Sequence, residues 1–155
     1  MTLSDWIIEY LENQGVEHIF TVSGGGSIWL CDALARAKRM KYVCTHHEQA
    51  AAYAAEGYAR VRNSLGCCLI TSGPGGTNAV SGVAAAWLDG IPVIYISGQA
   101  FLKHTITDHL GLRQLGVQEI NIVDIVRPIT KLAVMVRHPG EAMSMLEEAV
   151  KQALT

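Results

Sequence analysis

His46-His47-Glu48-Gln49 follows the apolar run Tyr42-Val43-Cys44 and opens a stretch of small residues, Ala50-Ala51-Ala52-Tyr53-Ala54-Ala55-Glu56-Gly57. That change of composition places Glu48 where a strand gives way to a helix, at the carboxyl edge of a parallel sheet. Open α/β sheets bind their ligands at such edges. Alanine and glycine let a second helix approach closely, so a carboxyl group there loses part of its water and is suited to proton exchange. The plainer reading is that a glutamate in the first turn of a helix complements the macrodipole. Two glycine-rich turns are the other candidates. Ser23-Gly24-Gly25-Gly26-Ser27 fails the GxGxxG pattern because Trp29 stands at the third glycine position, and Gly73-Pro74-Gly75-Gly76-Thr77 has no lysine and fails the Walker pattern. Taken alone, both read as tight strand-to-helix turns.

The elements that position these residues follow from periodicity. Leu3, Trp6, Ile7, Tyr10 and Leu11 recur at helical spacing behind a capping-box pair, Thr2 and Asp5, and the helix is expected to stop at Gly15. Strands are expected at 18–22, 41–45, 67–71, 91–97 and 131–136. Helices are expected at 28–37, from Glu48 to about 61, at 77–88 and from Pro139 to about 153, with one helical turn at 121–126. The alternation implies β-α-β units and a doubly wound, mostly parallel sheet with helices on both faces. Residues 98–119 form a long connection carrying Lys103, His104, Asp108, His109 and Arg113, and loops of that length are often functional.

Composition bounds the rest. The chain has 155 residues, enough for one domain with a proper core. Half of the residues are hydrophobic and the net charge is −2, without a Lys/Arg cluster, which argues against a nucleic-acid partner. The longest apolar runs fall well short of a membrane span, and Thr2-Leu3-Ser4-Asp5 does not open a signal peptide. Cys31, Cys44, Cys67 and Cys68 lie in apolar contexts without CxxC spacing. They read as buried reduced thiols of a cytoplasmic protein, not as a zinc site, and no metal site is expected in this chain. Cys67 and Cys68 are adjacent on a strand and should face opposite sides of the sheet.

Three blocks also carry a resemblance. HHEQAAAYAAEGYAR at 46–60, Thr71-Ser72-Gly73-Pro74-Gly75-Gly76-Thr77-Asn78, and Arg113-Gln114-Leu115-Gly116-Val117-Gln118-Glu119 followed by Pro128-Ile129-Thr130-Lys131 occur in this order. Together they resemble the amino-terminal pyrimidine-binding domain of thiamine-diphosphate enzymes of the acetolactate synthase-like group. The resemblance implies that Glu48 hydrogen-bonds N1′ of the aminopyrimidine and promotes loss of the proton from thiazolium C2. It implies that Gln118 lies near the reacting end of the cofactor, and that Val22, Ser23, Gly24, Thr71, Pro74 and Asn78 line the pyrimidine pocket. Asn78 has an alternative role as a helix cap. His46 and His47 lie at the same edge, with a structural or solvated role expected for His46. Two positions depart from the group. Val117 stands where an aromatic residue is usual before the glutamine, and Val22-Ser23 stand where the first glycine turn usually has Tyr-Pro. Both imply a wider or less aromatic substrate pocket. The third block further resembles members linked to surface-polysaccharide and unusual-sugar pathways.

The implied function is decarboxylation of a 2-keto acid and carboligation with thiamine diphosphate, this chain supplying the half-site that binds the aminopyrimidine and activates the cofactor. Mg²⁺ would be bound by a diphosphate-binding domain that a neighbouring subunit contributes, so a homo-oligomer, dimer or tetramer, is expected. FAD would sit mainly in a middle domain. Neither domain is represented: Leu88-Asp89-Gly90 lacks the downstream asparagine of the diphosphate motif. Residues 1–155 are therefore expected to be a single pyrimidine-binding domain, an N-terminal fragment of a longer enzyme, inactive alone and missing the final strand of the fold. The alternatives are a stand-alone binding or regulatory module without catalysis, and one subunit of a split 2-keto acid decarboxylase. The small-residue faces of the helices at Glu48 and Thr77 are expected to meet a second copy.

Overall fold

A computed structural model describes residues 1–106 and 111–155. Four parallel strands, β1 (His18–Thr21), β2 (Lys41–Cys44), β3 (Gly66–Ile70) and β4 (Val93–Ser97), form one sheet in the order β2-β1-β3-β4. The helices are α1 (Leu3–Asn13), α2 (Ile28–Arg36), α3 (Glu48–Arg62), α4 (Pro74–Asp89), the short α5 (Ile122–Val126) and α6 (Ala142–Leu154). The strand order reverses between β1 and β3, which makes the carboxyl ends of those two strands the topological switch point.

Local chemistry explains the boundaries. Thr2 Oγ1 accepts from the Asp5 amide at 3.2 Å and the Asp5 carboxylate accepts from the Thr2 amide at 2.8 Å, so α1 opens with a complete capping box. Those bonds, the backbone amide first, with Arg36 adding its charge, hold the Asp5 carboxyl at about 2. α3 stops at Asn63, which takes the left-handed conformation, and α4 stops at Gly90 in the same conformation. α4 begins at Pro74, not at Thr77 as its turn-like composition suggests, because proline is preorganised for the first helical position.

Helices cover both faces of the sheet. On one face α1, α2 and α6 pack Leu11, Leu34 and Val150 around Ile19, Cys67 and Leu69. On the other, Ala51, Ala52 and Ala55 of α3 and Ala79 of α4 meet Cys68 and Ile70. Cys67 and Cys68 thus face opposite layers and both are fully buried, whereas Cys31 is half-buried and Cys44, on the edge strand β2, is exposed, against the expectation that all four are buried. Between α3 and α4 contact is close: a Cβ added to Gly82 would lie 2.4 Å from the Cβ of Ala52. The small-residue seam expected between two copies is therefore largely internal, with Ala51, Ala55, Ala79, Gly82 and Ala86 buried within the chain.

The strand expected at 131–136 is not part of the sheet. β4 ends the sheet, and a cavity of about 620 Å³ lies beside it, with residues 131–136 forming part of its wall. Strands pair only at a spacing of about 4.8 Å, so a segment across such a gap makes no ladder.

Candidate functional site

The turns that leave β1 and β3 interlock at the switch point. The amide of Gly26 donates to Thr71 Oγ1 at 3.1 Å. A Cβ on Gly24 would lie 2.5 Å from the Thr71 side chain, and one on Gly26 would lie 2.9 Å from Ser72 Oγ. Only glycine fits where two turns share this space. Ser97 Oγ donates to the Thr71 carbonyl at 3.2 Å, which ties the end of β4 to the same turn.

Glu48 is the first residue of α3. Its predecessor His47 is the cap, with Nδ1 accepting from the Gln49 amide at 3.2 Å, so this imidazole is committed to the backbone, and His46 is exposed. The Glu48 side chain is half-buried and reaches the start of α4. Oε2 accepts from Asn78 Nδ2 at 2.9 Å. Oε1 faces Gly75, 3.5 Å from where a Cβ would stand, and no donor among the described residues bonds it. Asn78 lies in the second turn of α4 and is not its cap; Gly73 fills that place. The alternative of a capping asparagine is thus replaced by an amide that orients a carboxylate. Beneath the pair, burial pushes the Cys68 thiol up to about 12, and the charge of Glu48 adds to that shift.

The loop at 116–119 seats on the β3–α4 turn. A Cβ on Gly73 would meet the Gln118 carbonyl oxygen at 2.2 Å, and Gly73 has φ 57°. Gln118 itself has φ 52°, uncommon for a residue with a Cβ. Its side chain is exposed, as is its neighbour Val117 at 86%. Gln99 Nε2 donates to the Ile120 carbonyl at 2.8 Å and anchors the far end of this loop to the chain leaving β4. Glu119 is buried, and neither carboxylate oxygen has a hydrogen-bond partner among the described residues; Thr21 Oγ1 at the end of β1 is buried and unpartnered in the same way.

The structure therefore brings Gly24, Thr71 and Gly75 into contact at one edge, with Glu48 bonded to Asn78 and Gln118 held over Gly73. Val22 is half-buried in the β1 turn, while Ser23 and Pro74 are exposed. Lys103, His104 and Arg113 are exposed in the long connection, and Asp108 and His109 lie outside the described residues. Sequence reasoning did not single out Ser72, Ser97, Gln99 or the burial of Glu119. Among the described residues, no group of three or more His, Cys, Asp or Glu is placed to hold a metal ion, and no helix is long and apolar enough to cross a membrane. The arrangement sets one carboxylate oxygen without a donor at the switch point, beside turns that only glycine lets pack this closely.

Residues 1–125 match the model of a family described as thiamine pyrophosphate enzyme, N-terminal TPP binding domain. The chain is 41% identical over 152 residues to the acetolactate synthase of Arthrospira platensis, a match covering 96% of this chain and 25% of that protein. It is 41% identical over 146 residues to the chloroplastic acetolactate synthase of Arabidopsis thaliana, covering 94% of this chain and 21% of the relative. Against the acetolactate synthase large subunit of Buchnera aphidicola the identity is 36% over 152 residues, covering 98% and 25%. The chain thus spans a quarter or less of the length of these relatives.

Proposed function

This chain belongs to the thiamine pyrophosphate enzymes as an N-terminal TPP binding domain, and on that premise we propose that it supplies the aminopyrimidine-binding, cofactor-activating half of the site in an acetolactate synthase-like enzyme. The observation that carries the reading is the half-buried Glu48 carboxylate, oriented by Asn78 through Oε2 and open at Oε1 beside the bare backbone of Gly75. The group fits these residues. Gly24, Gly73 and Gly75 let the two turns and the 116–119 loop pack directly on one another beside Glu48, and Oε1 would hold or release one proton at a ring nitrogen. Thiamine diphosphate, when bound, supplies an electron sink for the decarboxylation of a 2-keto acid. The protein's part is position and proton control. Thr71 and Ser97 fix the turn under the ring, and Asn78 keeps the carboxylate from rotating. Gln118, exposed at a left-handed backbone position, is assigned to orient the keto acid without adding charge.

Diphosphate and Mg²⁺ belong to a domain outside these residues, contributed by a neighbouring subunit, and FAD, where used, to a middle domain. Two copies would pair across the outward faces of α3 and α4, where Tyr53, Val61, Trp87 and Leu88 are exposed. The four free cysteines suit a reducing compartment, the cytoplasm.

The test is an acetolactate synthase in which this chain replaces the matching N-terminal segment. Glu48→Gln keeps the shape of the side chain and its acceptor for Asn78, but removes the titratable oxygen. Proton exchange at thiazolium C2 of the bound cofactor should slow at least ~10³-fold, in line with a lost general acid-base group. Exchange within twofold of wild type, with cofactor still bound, would refute the assignment.

A further inference from the structure

The exposed side chain assigned to the keto acid, Gln118, sits on a backbone that does not hold itself in place. The Gly116 carbonyl accepts from the Glu119 amide at 3.2 Å, which closes a four-residue turn with Gln118 in its third position. Gln118 has φ 52° there. A residue with a Cβ takes that conformation at a cost, and keeps it where its surroundings enforce it. The loop's own polar groups do little of this. Gln114 Nε2 donates to the Gly116 carbonyl, but Gln114 belongs to the same loop and shares any shift of it. Glu119 follows Gln118 directly, and neither of its carboxylate oxygens has a partner among the described residues.

Two contacts reach the loop from outside. One is steric: the Gln118 carbonyl rests against Gly73, where a Cβ would overlap it. That contact limits approach from one side and does not pull. The other is polar. Gln99 Nε2 donates to the Ile120 carbonyl, just beyond Gln118, at 2.8 Å. Gln99 Oε1 accepts from the Ala100 amide at 2.9 Å, so both ends of the side-chain amide are used and its orientation is fixed. The preceding residue roots this bond in the sheet. The Gly98 amide donates to the Ile70 carbonyl at 2.8 Å, and a Cβ on Gly98 would overlap the Gly26 backbone. Gln99 therefore reaches the loop from the place where the chain leaving β4 meets the end of β3 and the turn after β1.

We propose that Gln99 is a positioning residue: through the Ile120 carbonyl it holds the turn that presents Gln118, and so sets how the 2-keto acid is oriented. The proposal rests on the assignment of Gln118 to the keto acid and names what fixes that side chain. The chemistry asks for an amide. A carboxylate of the same shape keeps the bond from Ala100 but sets an oxygen against the Ile120 carbonyl, acceptor against acceptor. A methionine of similar length gives up both bonds. Neither change touches the Glu48 carboxylate, which Asn78 orients from α4.

The enzyme that carries the Glu48→Gln test also carries this one, with Gln99→Glu, Gln99→Met, Gln118→Ala and the two double variants. Each Gln99 variant should lower kcat/KM for the 2-keto acid roughly 5- to 10-fold, in line with the loss of one hydrogen bond. Proton exchange at thiazolium C2 should stay within twofold of wild type, since that step belongs to Glu48 and precedes the keto acid. In the Gln118→Ala background the Gln99 changes should cost nothing further, because residues that act through one another are not additive. Wild-type kcat/KM in either Gln99 variant overturns the proposal. So does C2 exchange slowed as much as turnover, which would make Gln99 a general support of the fold, and so do losses that add fully to those of Gln118→Ala. Unimpaired turnover in Gln118→Ala would sink the assignment of Gln118, and the role of Gln99 with it. Normal exchange in Glu48→Gln would sink the cofactor-activating reading alone, because the Gln99 result is read from turnover.

Discussion

The two sides of β3 are built differently. Toward α3 and α4 the packing is close: Gly66 lies against the Ala55 carbonyl, where a Cβ would come within 2.3 Å, and Gly82 lies against Ala52. Beyond β4 the molecule holds a cavity of about 620 Å³ walled by aliphatic side chains. The close-packed side carries Glu48 and Asn78, so the candidate site rests on closely approaching backbones. Small residues there serve proximity of backbones, while the larger aliphatic residues on the other side line the cavity.

The contrast can be broken most severely at Gly82. Gly82→Leu drives a side chain into Ala52, and it should cost about 3 kcal/mol by overpacking, or prevent folding altogether. The same enlargement on the open side, Ala153→Leu in α6, has the cavity to enter and should change stability by less than ~1 kcal/mol. Urea unfolding of both variants checks the pair; equal losses would erase the distinction between the two sides.

The alkaline limb of stability sharpens it next. Burial raises both thiols of β3, Cys67 and Cys68, above the ordinary value of ~8.5, Cys68 to about 12. The unfolded chain releases these protons first, so stability is fully present below the unfolded value and falls as pH rises above it. The slope is ~1.4 kcal/mol per pH unit for each thiol while only the unfolded state is ionised. Half-buried Tyr95, raised by desolvation first, adds to the fall above its own ordinary value of ~10. Cys68→Ala should make the limb shallower between roughly pH 9 and 12. An unchanged slope in pH-dependent urea titrations would mean that Cys68 is not held neutral by burial.

The smallest effect concerns the outer face of α3. Gly57 has nothing within 4 Å of an added Cβ, so Gly57→Ala should stabilise the chain by ~1 kcal/mol through helix propensity. A loss of stability in thermal unfolding would show that this face needs its bare backbone.

Much of this was legible in the sequence because it is local. The capping box at Thr2, the helix start at Glu48 and the alternation of strand with helix are all encoded within a few residues of where they act. Proline and glycine at 73–76 read locally as a turn, yet α4 begins inside them, since proline suits both. The alanine stripes were visible, but composition does not say which surface a stripe meets, and α3 met α4. Residues 131–136 have a strand's pattern, but pairing depends on a neighbour far along the chain. Gln99 bonds the Ile120 carbonyl across 21 residues, a contact with no spacing signature.

Of the four strands, His18–Thr21 leaves the ribosome first, and it ends up inside the sheet, flanked by β2 and β3. Each later strand docks on one already made, so the sheet grows outward from its oldest member as synthesis proceeds. The carboxylate of Glu48 emerges 30 residues before the amide that orients it, and a nascent chain stopped short of α4 carries the acid without its partner. A lesion near residue 20 therefore removes the axis on which the other strands are assembled, whereas one in Val93–Ser97 leaves the pairs made before it in place.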